Sequence, residues 1–214
     1  MIQIIPAVLA TTEEQYKEDV AKLESSEVLQ DGWVHIDFAD NKFVPNKTVE
    51  SEVIKKYPSS FHKEAHLMVA RPNQWIDKLV DAGFERIIFH IESEEDILGV
   101  IENIKSKNLE VGLAVNTQTP IEKLEPFASK IDLVLVMTVV AGFQGQPFIP
   151  TTLEKVLEIK SKNWPAKVGV DGAVKDSNIK EIVNAGVDFA IVGSYLLNGD
   201  IEENLENLWE VING

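Results

Sequence analysis

The feature that most restricts the fold of this chain is a regular alternation of two hydrophobic patterns along its length. Short runs rich in β-branched residues recur at residues 3–9, 33–38, 63–68, 86–90, 110–116, 131–137, 167–171 and 189–192. Stretches with helical periodicity lie between them, at residues 13–23, 74–82, 97–107, 153–162 and 179–185. Strands that alternate with helices in this way form parallel sheets, because each helix carries the chain back over the sheet.

Eight such alternations in 214 residues predict a single (β/α)8 TIM barrel, with residues 1–214 forming one catalytic domain. No Pro-, Gly- or Ser-rich linker divides the chain. An open, doubly wound parallel sheet has the same alternation and is the alternative, because periodicity alone does not reveal barrel closure. Four Ser/Thr-x-x-acid patterns, among them Thr11/Glu14 and Ser93/Asp96, predict where helices begin.

The chain is acidic, with a formal net charge of −15 from 20 Lys and Arg against 35 Asp and Glu. This charge disfavours nucleic acid and anionic membranes as partners. No apolar run approaches the roughly 18 residues that a transmembrane helix needs. Because the chain has no cysteine, disulfides and thiolate metal sites are excluded, and we expect a cytoplasmic protein. An anionic substrate would need a locally positive site, formed by a metal, helix N-termini or backbone amides.

Four ionisable residues lie toward the C-terminal ends of predicted strands, where barrel enzymes build their active sites. His35 and Asp37 are two residues apart in the second strand, so they project from the same face. His66 lies near the end of the third strand, and Asp171 ends the seventh. Two imidazoles and two carboxylates form a donor set suited to one Zn²⁺, Fe²⁺ or Mn²⁺ ion. Each residue also has a simpler interpretation, as a hydrogen-bonded core histidine or, for Asp171, as a turn aspartate.

Asp37 and Asp171 are candidates for a pair of proton-transfer groups. The seventh strand of an eight-stranded ring lies roughly opposite the second and third, so the two carboxylates could reach a substrate from opposite faces. Inverting a carbon next to a ketone needs a base on one face and an acid on the other. The enediolate intermediate carries negative charge that a metal ion can stabilise.

Three loops that follow late strands are candidates for binding a phosphate. They contain Gly142 and Gly145, Gly172, and Gly193 with Ser194. In barrels, the backbone amides of the loops after strands seven and eight often hold a phosphate. Each loop taken alone is equally consistent with an ordinary glycine turn.

Four other residues near strand ends have supporting or structural interpretations. Met68 and Met137 are expected to pack in the core and to support the site. His90 ends the fourth strand and is expected to be structural or to support the site from behind. His62 lies next to charged residues and is predicted to be at the surface.

These motifs resemble the ribulose-phosphate 3-epimerase family over nearly the whole chain. The matching segments are Ile5-Pro6-Ala7-Val8-Leu9, Val34-His35-Ile36-Asp37, Asp40, Phe43-Val44-Pro45-Asn46, His66-Leu67-Met68-Val69, Val136-Met137-Thr138-Val139, Gly142-Phe143-x-Gly145-Gln146-x-Phe148, Val170-Asp171-Gly172 and Val192-Gly193-Ser194. The order and spacing of these segments together are highly specific.

The resemblance implies a (β/α)8 barrel that binds one divalent metal ion through His35, Asp37, His66 and Asp171. It implies that Asp37 and Asp171 are the acid/base pair that interconverts D-ribulose 5-phosphate and D-xylulose 5-phosphate in the pentose phosphate pathway. It also implies an active-site lid after strand six. Members of the family assemble variously, and we expect a homo-oligomer. The residues that match phosphate- or substrate-binding positions are Gly142, Gly145, Gly172, Gly193 and Ser194.

Several positions depart from the residues that the family usually carries. They are Ala7 for serine, Ala39 for methionine, Asn41 for glycine, Ala141 for proline, and Gln144 and Ala173 for glycine. The departures leave open a related substrate, D-allulose 6-phosphate, and a metal- and sugar-phosphate-binding relative that no longer turns over. A metal-free phosphate-binding barrel, as in aromatic amino-acid or thiamin synthesis, is a third alternative.

Overall fold

The computed structural model, which describes residues 2–143 and 145–214, contains one closed barrel of eight parallel strands. The strands are β1 (Gln3–Val8), β2 (Trp33–Ala39), β3 (His62–Met68), β4 (Arg86–His90), β5 (Glu110–Val115), β6 (Leu133–Met137), β7 (Lys167–Asp171) and β8 (Phe189–Val192). The barrel closes because β1 pairs with β8, with Gln3 opposite Phe189 and Pro6 opposite Val192. This pairing confirms the (β/α)8 barrel and excludes the open doubly wound sheet.

Helices connect successive strands and cover the outside of the barrel. They are α1 (Glu13–Glu24), α2 (Ser51–Lys56), α3 (Asn73–Asp81), α4 (Ile97–Ser106), α5 (Leu153–Ser161), α6 (Asp176–Asn184), α7 (Ser194–Leu197) and α8 (Ile201–Asn213), with 3₁₀ helices at Ile121–Phe127 and Pro150–Thr152. The first 3₁₀ helix replaces an α-helix between β5 and β6, and it contains Pro126, which cannot donate a backbone hydrogen bond. Among the described residues, no helix is both long and apolar enough to cross a membrane.

The helices begin differently from all four predicted capping patterns. Pro120 precedes the first 3₁₀ helix and Thr152 precedes α5, and neither provides a side-chain cap. Thr12, rather than Thr11, caps α1, because its side chain accepts the backbone N–H of Gln15 at 3.2 Å. Asp96, rather than Ser93, caps α4 through a 3.2 Å bond from a backbone N–H in the first turn. Neighbouring Thr, Ser and Asp residues are all good caps, so the pattern alone does not select among them.

The two faces of the strands supply two separate hydrophobic clusters. The larger cluster lies between strands and helices and includes Ile36 and Phe38. The smaller cluster, which includes Ile88, lies inside the barrel. Because alternate residues of a strand face opposite sides, His35 and Asp37 project into the barrel interior, away from Ile36 and Phe38.

Close packing fills the interior of the barrel beneath the strands' C-terminal ends. A Cβ atom on Gly169 of β7 would lie 2.2 Å from the ring of Phe189. A Cβ atom on Gly112 of β5 would lie 2.7 Å from Leu133. Phe189 and Leu133 therefore fit only because the neighbouring strand carries glycine at the paired position. These side chains form a packed floor beneath the barrel mouth.

Candidate metal centre and active site

The four predicted ligand residues come together at the C-terminal end of the barrel. His35 and Asp37 of β2, His66 of β3 and Asp171 of β7 each have a potential ligand atom, and these atoms all lie within 4.8 Å of one another. The register of the sheet places Asp37 directly opposite His66. His35 and His66 are completely buried, and the side chain of Asp171 is only 15% exposed.

One ring nitrogen of each histidine faces the two carboxylates. Nε2 of His35 lies 3.4 Å from Oδ1 of Asp37 and 4.0 Å from Oδ2 of Asp171. Nδ1 of His66 lies 2.8 Å from Oδ1 of Asp37 and 3.5 Å from Oδ2 of Asp171. Within the described part of the chain, Nε2 of His35 has no hydrogen-bond partner. A buried polar atom without a partner is costly, so this nitrogen and the mixed nitrogen and oxygen donors fit a divalent transition-metal ion.

The ionisable groups of the cluster are in unequal electrostatic environments. Burial alone would raise the pKa of Asp37, but the neighbouring rings of His35, at 3.4 Å, and His66, at 2.8 Å, hold that pKa well below its usual range. Burial, together with the negative charge of Asp37, raises the pKa of Asp171 to about 6. Burial alone would lower the pKa of His35, but its contacts with Asp37 and Glu64 raise it to about 10. The carboxylates therefore concentrate negative charge that a cation can neutralise.

Further buried side chains extend the cluster beyond the four residues. Oε1 of Glu64 lies 2.7 Å from Nδ1 of His35, and Oε2 of Glu64 accepts a 2.5 Å hydrogen bond from Arg86. Nε2 of His90 lies 2.9 Å from Nε2 of His66. Burial lowers the pKa of His90 to about 4. The histidine expected to be structural or supporting is thus in direct contact with the cluster.

The roles of Glu64 and Arg86 were not predicted from the sequence. The sequence does contain an indication that Glu64 belongs to the site, because Glu64 is two residues from His66 in β3 and so shares its inward face. The parallel register places Glu64 opposite His35 on one side and opposite Arg86 on the other. His62 lies on the same strand but at its exposed N-terminal end, as predicted for a surface residue.

A pocket opens beside the cluster at the barrel mouth. It contains about 560 Å³ of empty space, open solvent included. Its lining includes Ala7, Asp37, Met68, Met137, Gly142, Gly145, Asp171, Gly172, Ala173, Gly193 and Ser194. The structure therefore brings every predicted catalytic, phosphate-binding and supporting residue to one cavity, and His35 and His66 lie buried next to Asp37 and Asp171.

Hydrogen bonds and close packing shape the loops of the pocket. The Thr138 hydroxyl donates to the Gly172 carbonyl at 2.6 Å, and the Asn46 side-chain amide donates to the Gly142 carbonyl at 2.7 Å. Gly172 has a φ of +127°, and a Cβ atom there would lie 2.5 Å from Val139. Only glycine combines that backbone conformation with such a close approach.

The residues that depart from the family pattern lie mainly around this pocket. Ala173 has a φ of +53°, a left-handed conformation that glycine adopts more easily. The segment after β6, which the resemblance identifies as a lid, leaves Val140 62% and Phe143 44% exposed. Gln144 lies outside the described residues.

Sequence comparisons identify relatives over almost the entire chain. Residues 3–197 match the model of the ribulose-phosphate 3 epimerase family. Ribulose-phosphate 3-epimerase from Schizosaccharomyces pombe is 34% identical over 219 aligned positions, which cover 99% of this chain and 91% of the relative. The Escherichia coli protein of the same name is also 34% identical, with 91% of this chain and 88% of the relative covered.

Solved structures of lower sequence identity share the fold. 3-Hexulose-6-phosphate synthase from Salmonella typhimurium has a TM-score of 0.72 at 17% identity, with 99% of both chains covered. Thiamine phosphate pyrophosphorylase from Pyrococcus furiosus has a TM-score of 0.63 at 15% identity, covering 99% of this chain and 95% of that one. At these identities the likeness supports the barrel fold alone.

Proposed function

The chain belongs to the ribulose-phosphate 3-epimerase family, a family of isomerases, and from this premise we propose that it inverts carbon 3 of a ketose phosphate. The substrate that we propose is D-ribulose 5-phosphate, with D-xylulose 5-phosphate as the product. The observation that carries the proposal is the convergence of His35, Asp37, His66 and Asp171 beside one pocket. Family membership supports the class of reaction, and this convergence supports its retention by this chain.

The four residues are proposed to hold one divalent metal ion, Zn²⁺, Fe²⁺ or Mn²⁺. The donors would be Nε2 of His35, Nδ1 of His66 and one carboxylate oxygen each from Asp37 and Asp171. Support comes from the mutual proximity of these atoms and from the unpartnered Nε2 of His35 within the described residues. When bound, the ion would stabilise negative charge on the substrate oxygens.

Asp37 and Asp171 are proposed to be the two proton-transfer groups. They come from β2 and β7, which are separated by two strands on one side of the barrel and four on the other. One carboxylate removes the proton from C3, and the C–H electron pair moves toward the neighbouring carbonyl. The other residue, protonated, delivers a proton to the opposite face of C3 as the carbonyl re-forms. The substrate loses one proton and gains one, so no oxidant or reductant is needed.

The loops of the pocket are proposed to bind the phosphate through their backbone amides. Gly172, Gly193 and Ser194 follow β7 and β8, the strands whose loops often hold a phosphate in barrels. The net charge of −15 repels an anionic substrate at long range, so such local donors are needed. Met68 and Met137 are each only 2% exposed and contribute apolar lining that limits water near the reacting carbon.

A second substrate, D-allulose 6-phosphate, is favoured by the replaced residues of the pocket. Ala7 and Ala173 line the pocket where the family usually has serine and glycine. Alanine at position 7 cannot hydrogen-bond to a substrate hydroxyl, and the loss of such a contact changes discrimination between substrates. The same replacements also favour an alternative function, in which the protein binds a metal ion and a sugar phosphate without turnover.

Deuterium exchange at C3 tests these possibilities together. The purified protein, loaded with Zn²⁺, Mn²⁺ or Fe²⁺ in turn, is incubated in deuterated water with D-ribulose 5-phosphate or D-allulose 6-phosphate and followed by proton NMR. We expect the C3 proton signal of D-ribulose 5-phosphate to disappear while D-xylulose 5-phosphate forms. Exchange confined to the hexulose phosphate would instead favour the second substrate. Binding of both sugars without any exchange would contradict an epimerase and favour the non-catalytic relative.

A further inference from the structure

We propose that Glu64 and His90 are positioning residues that fix the ring tautomers of the two histidines at the proposed metal centre. The inference rests on the proposed function and extends it to side chains behind the ligands. Glu64 and His90 are completely buried, and neither lines the pocket. They therefore act through His35 and His66 and not on the substrate.

The geometry of the cluster requires opposite tautomers in the two histidines. A neutral histidine that binds a metal offers the lone pair of one ring nitrogen and carries its proton on the other. The nitrogens that face the carboxylates are Nε2 of His35 and Nδ1 of His66. His35 must therefore carry its proton on Nδ1, and His66 must carry its proton on Nε2.

Glu64 selects the required tautomer of His35. Its Oε1 lies 2.7 Å from Nδ1 of His35, and an ionised carboxylate can only accept a hydrogen bond. The proton of His35 is therefore held on Nδ1, which leaves Nε2 free. Arg86 provides the positive charge that a completely buried carboxylate needs, because its guanidinium donates to Oε2 of Glu64 at 2.5 Å.

His90 selects the opposite tautomer of His66. Its Nε2 lies 2.9 Å from Nε2 of His66, and the two rings stack with their centroids 5.1 Å apart. Two facing ring nitrogens form a hydrogen bond only when one carries a proton and the other does not. Nδ1 of His90 lies 3.2 Å from Oε2 of Glu92, which accepts a hydrogen bond. The single ring proton of neutral His90 is therefore on Nδ1. Its Nε2 then accepts the proton of His66.

Both sets of contacts end on groups that are themselves held in place. Oε1 of Glu92 accepts the backbone N–H of Asn116 at 3.0 Å. The guanidinium of Arg86 donates to Glu110 at 2.7 Å and lies 3.9 Å from the ring centroid of Trp33. Partners of this kind orient ligating histidines, and their loss typically weakens metal binding about 10- to 100-fold.

Nitrogen NMR of the Zn²⁺-loaded wild-type protein reads the tautomers directly. In protein labelled with nitrogen-15 histidine, long-range proton–nitrogen correlations identify which ring nitrogen carries the proton. We expect a protonated Nδ1 in His35, a protonated Nε2 in His66 and a proton only on Nδ1 in His90. The opposite tautomer in either ligand, or a proton on Nε2 of His90, would overturn the inference.

Two matched pairs of variants test the contribution of these residues to metal binding. Glu64→Gln removes an ionised acceptor from His35, whereas Glu110→Gln makes the same change on the other, half-exposed carboxylate that contacts Arg86. His90→Phe keeps a flat ring without an acceptor, whereas His62→Phe makes that change at an exposed position of β3. Zn²⁺ affinity is measured by competition with a chromophoric chelator.

We expect Glu64→Gln and His90→Phe to weaken Zn²⁺ binding by about 10- to 100-fold, and the two control variants to bind like the wild type. His90→Gln, which restores an acceptor near His66, should recover part of the lost affinity. Unchanged affinity in folded Glu64→Gln and His90→Phe would overturn the positioning role. Circular dichroism verifies that each variant is folded. If a variant does not fold, the ring tautomers of His35, His66 and His90 in the wild-type protein still test the inference.

The failure of this inference can be distinguished from the failure of the proposed function. Wild-type protein that binds no Zn²⁺ would overturn the metal centre itself. Wild-type protein that binds Zn²⁺ but has the opposite tautomer in His35 or His66 would overturn only the positioning role of Glu64 and His90.

Discussion

The two sides of the barrel mouth are built by different means. The ligand side consists of His35, Asp37, His66 and Asp171, whose side chains stand on strands and are fixed by sheet register and buried hydrogen bonds. The loop side consists of Gly142, Gly145, Gly172, Gly193 and Ser194, which line the pocket from the segments after β6, β7 and β8. The ligand side offers charged side chains, and the loop side offers mainly backbone.

The departures from the family pattern spare the four residues of the ligand side. His35, Asp37, His66 and Asp171 all match that pattern, whereas Ala7, Ala141 and Ala173, which line the pocket, do not. Ala7 and Ala39 stand on β1 and β2, so the departures are not confined to loops. We infer that the four ligand residues determine the reaction and that the residues around them determine which sugar phosphate is used.

The largest predicted effect comes from removing either carboxylate of the ligand side. Asp37→Asn and Asp171→Asn should each lower kcat by about 10²- to 10⁴-fold, because an amide cannot take up or release the C3 proton. A coupled assay of D-xylulose 5-phosphate formation measures the rate. Asp77→Asn is the matched control, since Asp77 is exposed and pairs only at the surface with Lys107. A variant at Asp37 or Asp171 with the wild-type rate would remove the proposed distinction between the two sides.

Glycine substitutions on the loop side should affect stability and substrate binding. Gly142→Ala and Gly172→Ala should lower the free energy of unfolding by about 2–5 kcal/mol, from left-handed strain and overpacking together. The new Cβ atoms would lie 2.8 Å from Val44 and 2.5 Å from Val139. KM should rise as the loops shift, which steady-state kinetics and urea denaturation can measure.

Gly145→Ala is the matched control for these substitutions. Its φ is +77°, but nothing lies within 4 Å of the added Cβ atom. Gly145→Ala should therefore lower the free energy of unfolding only by the backbone strain, about 1–2 kcal/mol. Equal losses in all three variants would indicate that packing does not shape the loop side.

The smallest predicted effect is a gain in stability from Ala173→Gly. Ala173 has a φ of +53°, and glycine relieves the resulting strain of about 1–2 kcal/mol at an entropic cost of about 0.5–1 kcal/mol. The net gain should raise Tm by about 1–4 °C in thermal unfolding. Ala185→Gly, at the right-handed C-cap of α6, should lower Tm instead. A decrease in both variants would show that Ala173 is not strained.

Much of the fold was predictable because local hydrophobic patterns report local structure. Each predicted strand ends within two residues of an observed strand end, and α1, α3, α4, α5 and α6 agree to within three residues. Barrel closure was not predictable from these patterns, because it depends on the pairing of Gln3 with Phe189 across the whole chain. α8 (Ile201–Asn213) and the two short helices α2 and α7 were not predicted.

The residues of the ligand side were predictable because local spacing and strand ends determine where their side chains lie. The contacts that support them were not predictable. His35 and Asp37 share a face through their spacing alone, and strand ends place His66 and Asp171 at the same mouth. The contact of Glu64 with His35 depends on the register between β2 and β3, which a single sequence does not reveal. A homo-oligomeric assembly and a cytoplasmic location stay predictions.

The number of divalent ions bound per chain tests most directly whether the four side chains of the ligand side form one metal centre. Purified protein is equilibrated with Zn²⁺, freed of loosely bound metal by gel filtration and examined by elemental analysis. We expect one Zn²⁺ per wild-type chain and none in a folded His35→Ala/His66→Ala double variant. A wild-type chain without bound metal, or a double variant that keeps one ion, would contradict that centre.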